Sequence, residues 1–395
     1  MVMRQQRFAL LLGLGLVTGA CVQTPPPKPV STPAPVAVEA TCRTAAARLY
    51  FDFEGASASA CAVRGERDFA LLVTPEHAPP INPSPWYAFR YETTGEAPVT
   101  VTLGYLGGQH RYAPKWRGAD GAWRDLPAEP SVDGKGAVIR LPAGRGMIAA
   151  QEIIPPAAAR ADLARWSAAS GAQPFTIGTS HDGRPIGAIR FGRSDAPKLV
   201  VLLGRQHPPE VTGAIAMVAF VDSLAARAGD LGDVQVLVVP MLNPDGVVRG
   251  HWRANRGAVD INRDWGPFTQ PETRSVKAWL DALPQSVRPV LMVDFHSTRS
   301  NLFYVQGKGE ASAAQQRFLA AWLEGRENAF AGYPFTIEPR NANPGSGTAK
   351  NWFFETYAIP SYTYEVADDA DRAATRTAAR ALADSLMPAL AAASE

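Results

Sequence analysis

The chain has 395 residues, 46% hydrophobic and 19% charged, with a formal net charge of +2. That composition supports packed cores for more than one domain and excludes global disorder. The near balance of charge gives no electrostatic case for a nucleic-acid partner, and no internal apolar run reaches the roughly 20 residues that span a bilayer.

Arg4 and Arg7 precede an apolar stretch from Phe8 to Val17, followed by Thr18-Gly19-Ala20-Cys21. A basic start, a short apolar segment and small residues predict a secretory signal at 1–20. The cysteine resembles that of a bacterial lipobox, which implies a lipid anchor; Val22, in place of an inner-membrane retention Asp, implies the outer membrane, facing the periplasm. Residues 21–44 carry the lipidated cysteine and a proline-rich, extended tether. Cys42 and Cys61 remain as one possible disulfide pair, or as two buried thiols.

From 45 to 157 the sequence predicts a small all-β sandwich. Short β-rich runs at 48–53, 69–73, 86–91, 99–103 and 137–141 are punctuated by turns such as Asp120-Gly121 and Asp133-Gly134. From 158 to 395 continuous apolar strands at 198–203, 234–240, 290–295 and 361–366 alternate with helical patterns at about 210–228, 271–282, 311–328 and 369–392. This is an α/β fold whose mixed, largely parallel sheet is covered by helices on both faces.

The chemistry gathers at strand ends. His207-Pro208-Pro209-Glu210 follows one apolar strand and opens a helix, and His296 ends another. Two imidazoles and a carboxylate suit Zn²⁺ and leave a position for water; alternatively the histidines are satisfied by backbone carbonyls. Glu365 lies inside an apolar strand, where a carboxylate is costly without a partner or a task. Near a metal it would take a proton from water as a general base. Arg253, Arg256 and Arg263 fall within eleven residues, beside Asn262. Arginine binds carboxylates as a bidentate fork and can stabilise an oxyanion.

These residues together resemble the M14 zinc carboxypeptidase family over roughly 170–370. The resemblance implies that His207, Glu210 and His296 hold one Zn²⁺ and that Glu365 is the general base. It implies that Asn262 and Arg263 grip the free C-terminal carboxylate of a peptide substrate. Asp260 would orient a zinc-bound imidazole, and Arg253 or Arg256 would stabilise the oxyanion. Phe51-Asp-Phe-Glu-Gly55 and Pro83-Ser-Pro-Trp-Tyr-Ala-Phe-Arg90 resemble the β-domain of cytosolic-carboxypeptidase-like members. Two departures stand out: 338–347 contain no tyrosine where the family has a mobile one, the nearest being Tyr333 and Tyr357, and Pro209 replaces a subsite arginine. Lys350 falls near the position that sets side-chain preference, where a cation favours release of an acidic residue.

The expected protein is therefore a metallocarboxypeptidase, anchored to the membrane only through its lipid. Two alternatives are a narrow amide hydrolase acting on cell-wall stem peptides or acylated amino acids, and a non-catalytic binding protein on a peptidase scaffold.

Overall fold

The computed structural model describes residues 42–57, 60–342 and 345–394; the predicted signal segment, Cys21 and residues of the tether up to 41 lie outside them. Among the described residues no helix is long and apolar enough to cross a membrane.

The first part of the described chain forms two five-stranded sheets. One runs in the order Ala47–Tyr50, Ala88–Thr93, Arg145–Ala149, Lys115–Arg117, Trp123–Asp125; the other runs Ala60–Gly65, Asp68–Val73, Val99–Tyr105, Gly136–Leu141, Ala128–Pro130. Alternation dictates how they pack. In Val99–Tyr105, Val99, Val101, Leu103 and Tyr105 are buried while Thr100, Thr102 and Gly104 are half-exposed, the two-residue period of a sheet with one inner face. Phe69, Leu71 and Ile139 from one sheet join Leu49, Phe89 and Ile148 from the other in a single buried cluster. Cys42 and Cys61 are disulfide-bonded, with Cα atoms 5.7 Å apart.

The remaining strands form one eight-stranded sheet, in the order Pro174–Thr179, Pro185–Gly192, Val234–Val239, Lys198–Gly204, Arg288–Thr298, Ser361–Ala367, Leu302–Val305, Thr336–Pro339. Its four central strands pair in parallel. An antiparallel hairpin extends it at one side, and Leu302–Val305 runs antiparallel to Ser361–Ala367 at the other. Both faces are covered. Val200 and Leu202 enter a core shared with the helices Val211–Ala225, Ala313–Trp322 and Arg372–Asp384. Leu199, Val201 and Leu203 enter the opposite core, with Pro271–Asp281 and Ala349–Tyr357. Strands buried on both sides need no polar alternation, which is why this region reads as continuous apolar runs.

Several elements differ from expectation. The helix predicted over 369–392 is two, Arg372–Asp384 and Leu386–Ser394, broken at Ser385. The helix Pro156–Ser170 and the strands Pro174–Thr179, Pro185–Gly192, Leu302–Val305 and Thr336–Pro339 were not anticipated.

Candidate metal centre and substrate cleft

Two crossover geometries bring the polar groups together. Lys198–Gly204 and Arg288–Thr298 are parallel neighbours, so the segment leaving the first strand stands beside the far end of the second, where sites collect in open α/β sheets. His207 lies in that segment, and Glu210 is the N-cap of the helix Val211–Ala225, although its side chain makes no capping bond. Its two oxygens turn instead to the imidazoles. Oε1 is 2.8 Å from His207 Nδ1 and Oε2 is 2.6 Å from His296 Nδ1. Ligand atoms of the three residues lie within 4.8 Å of one another.

The outer ring nitrogens are occupied as well. His207 Nε2 is 2.9 Å from Asp260 Oδ1, and His296 Nε2 is 2.6 Å from Asp294 Oδ2. An imidazole that donates Nε2–H to a carboxylate offers only a lone pair at Nδ1. Here both lone pairs face Glu210, itself an acceptor, so a proton or a cation must stand between them. Two imidazole nitrogens and one carboxylate oxygen, each ring fixed by an outer carboxylate, form the donor set that zinc takes. The electrostatics agree. Burial opposes a charged His296, yet Asp294 and Glu210 hold its pKa well above the ordinary value. Burial and Arg253 oppose a charged His207, and Glu210 and Asp260 outweigh them. Burial likewise opposes ionised Glu210, but the two imidazoles pull its pKa below the usual carboxylate range. Positive charge is favoured at this point.

Close main-chain packing sets the spacing of the ligands. A Cβ on Gly213, in the first turn of the helix that Glu210 caps, would lie 2.3 Å from the carbonyl oxygen of His296. The helix therefore sits directly on the strand, and Ser297 Oγ accepts from Gly213 N–H and from Thr212 Oγ1, each at 2.8 Å.

Glu365 is the register partner of His296 across the parallel ladder. Tyr362, Tyr364 and Val366 point into one apolar core, so the alternation of the strand sends Thr363 and Glu365 to the other face, where both line a cavity of about 380 Å³ shared with His207, Glu210 and His296. Glu365 Oε2 is buried without a hydrogen-bond partner among the described residues. Burial raises its pKa above the usual carboxylate value.

The remaining expected residues divide. Arg253, Asn262, Arg263 and Lys350 line the cavity. Arg253 Nε donates to Asp260 Oδ2 at 2.7 Å, so one carboxylate orients both His207 and Arg253. Asn262 is buried; its Oδ1 accepts from Ala349 N–H at 2.9 Å, and its Nδ2 is 3.3 Å from His296 Nε2. Arg263 Nη1 donates to the Asn262 carbonyl at 2.7 Å. Gly347 packs against the Arg263 backbone, with φ +70° and only 2.2 Å from a built Cβ to Arg263 O. Thr348 caps the helix Ala349–Tyr357 and so directs Lys350 inward, where its Nζ donates to Arg340 O at 2.9 Å. Burial pushes the Lys350 pKa down to about 8. Arg256 stands apart, exposed, with Nε 3.5 Å from Asp182 and no place on the cavity wall.

Sequence reasoning missed Asp294, Arg340, Tyr304 and the sandwich residues Arg111 and Tyr112, the last four of which also line the cavity. Asp294 carried a readable signal: a carboxylate two positions before His296 on one apolar strand shares its face. Arg111 and Tyr112 come from a loop with no local pattern.

Residues 167–381 match the zinc carboxypeptidase family. The chain is 29% identical over 180 residues to cytosolic carboxypeptidase 3 of Bos taurus, covering 42% of this chain and 18% of that protein. It is 27% identical over 187 residues to the inactive metallocarboxypeptidase ecm14 of Talaromyces stipitatus, covering 34% and 31%. The chain thus spans less than a third of the length of these relatives. A solved metallo-carboxypeptidase from Burkholderia cenocepacia has the same fold, with a TM-score of 0.71 at 19% identity, covering 87% of this chain and 99% of that one.

These matches correct one expectation. The outer-membrane lipoprotein facing the periplasm is overturned by relatives named cytosolic carboxypeptidases, and the lipid-anchored membrane partner is withdrawn with it. The leader pattern rests on composition over some twenty residues, whereas the family match rests on positions spread through 167–381.

Proposed function

This chain belongs to the zinc carboxypeptidase family, and on that premise we propose that it removes the C-terminal residue of peptides by hydrolysis, with one zinc ion held by His207, Glu210 and His296. The observation that carries the reading is Glu365, whose buried Oε2, unpartnered among the described residues, opens on the cavity that holds the three ligands. When bound, zinc supplies a Lewis acid that activates water and polarises the scissile carbonyl.

The residues of the chain do the rest. Glu365 accepts the proton of the attacking water and returns it to the departing amine; its raised pKa suits a base that must also act as an acid. Asp260 and Asp294 keep the imidazoles in the tautomer that frees Nδ1. Arg253 stabilises the developing oxyanion, and its place on the cavity wall favours it over Arg256. Asn262 and Arg263 bind the free carboxylate, which restricts cleavage to the last residue. Lys350 and Arg340 give the pocket a cationic wall, so the released residue is expected to be acidic.

The reading as a non-catalytic scaffold loses support because the ligand triad and Glu365 share one cavity. The cell-wall alternative rested on the withdrawn location. The test is zinc-loaded protein incubated with paired peptides, one with a free and one with an amidated C-terminus. Release of a single residue from the free form alone is expected; equal cleavage of both, or of neither, would overturn the proposal.

A further inference from the structure

The loop that carries Arg253 is held from the sandwich. Glu76, in the segment following the strand Asp68–Val73, accepts from three consecutive backbone amides. Arg253 N–H reaches its Oε1 at 2.8 Å, Ala254 N–H reaches the same oxygen at 2.6 Å, and Trp252 N–H donates to Oε2. Successive amides turned to one side form an anion-binding concavity, and here the anion is a side chain of the other structural region. The loop is fastened on its remaining sides too. Trp252 Nε1 donates to Tyr112 Oη at 2.9 Å. Asn243 Nδ2 donates to Ala254 O at 3.2 Å. Gly250, with φ +63°, lies so close to the sandwich backbone that a Cβ would come 2.5 Å from Ala56 O.

We infer that Glu76 is a positioning residue for the reaction: by fixing the backbone of 252–254 it aims the Arg253 guanidinium into the cleft. This rests on the reading of Arg253 as the oxyanion donor. Asp260 fixes only Nε of that arginine. The direction from which its chain enters is set by the three amides, so the sandwich becomes part of the catalytic apparatus. Gln at 76 would keep one acceptor oxygen and turn an NH₂ toward amide donors, leaving at least one of them unpaired. Asp would keep the charge but retreat by one methylene.

The full-length zinc-loaded protein tests this. A displacement on the ångström scale of a catalytic group costs on the order of 100-fold in rate, so Glu76→Gln is expected to lower kcat about 10- to 100-fold, with KM and zinc stoichiometry near wild type, and Glu76→Asp to fall between. In an Arg253→Ala background Glu76→Gln should change kcat by less than about twofold, because both act through one group. Amide exchange at 252–254 should accelerate in Glu76→Gln while the sheet strands keep their protection. Wild-type kcat in Glu76→Gln beside an impaired Arg253→Ala would overturn this inference alone. Wild-type kcat in Arg253→Ala would overturn the underlying role of Arg253 and the inference with it. Losses that multiply in the double variant, or unchanged exchange at 252–254, would also refute it, the latter whatever the turnover.

Discussion

The strands Val99–Tyr105 and Arg288–Thr298 obey the same two-residue geometry under different constraints. In the first, every second side chain faces outward, so a polar residue such as Thr102 costs nothing and says nothing. The second is buried along most of its length, and its Asp294 and His296 have no water to turn to. Among the described residues their contacts are with Glu210, Gln206, Asn262 and each other, and Asp294 Oδ1 has no hydrogen-bond partner. The difference teaches where polarity is informative: on a strand covered on both faces, a charged residue marks a site, while on a sandwich strand a polar residue in an outward-facing position marks the surface.

Glu365→Gln presses that contrast hardest. It should lower kcat by about 10²–10⁴-fold, the usual contribution of a general base, while zinc content by metal analysis stays at wild type; a fully active variant would remove the residue from the chemistry. In the wild type, the acid limb of kcat/KM should lie above the usual carboxylate range, since burial raises this pKa and only the ionised form accepts a proton. The sandwich should respond in a different currency. Phe89→Ala empties a fully buried core position and should cost about 3–5 kcal/mol in denaturant unfolding, with zinc affinity of the folded fraction unchanged. A matching loss of zinc affinity would erase the distinction between the regions.

Asp260→Asn or Asp294→Asn should weaken zinc binding about 10- to 100-fold in chelator competition, with stability less affected than by the core substitution. The smallest effect concerns choice of substrate. Lys350→Met should reduce the ratio of kcat/KM for C-terminal Glu over Leu by about tenfold, the worth of one charge-assisted hydrogen bond. Because burial has lowered this pKa to about 8, the charged form declines as pH rises through that value, and the wild-type preference for acidic residues should decline with it. A flat ratio from pH 7 to 9 would remove Lys350 from recognition.

Much of the catalytic region was readable because its signals are local. An apolar strand running into His207 and Glu210, and a glutamate at 365 within an apolar strand, are anomalies visible without coordinates. The four-residue strands Leu302–Val305 and Thr336–Pro339 are too short for periodicity to separate them from loops. The helix Pro156–Ser170 is mostly alanine and charge, with only Leu163 and Trp166 buried, so it has almost no apolar stripe to detect. Sequence left the choice between Arg253 and Arg256 unsettled, since only the fold decides which side of a loop meets the cavity. Glu76 was invisible for the same reason: its partners are main-chain amides far along the chain, and backbone carries no signature in the sequence.

The missing side chain at Gly213 sets a dimension. Helix and strand touch there through bare main chain, so the gap between Glu210 and His296 is an aperture whose width follows from that contact. A methyl group inserted at that contact would act as a shim, widening the aperture without touching any donor atom. The placement of two candidate ligands is thus set in part by a residue that carries no side chain of its own.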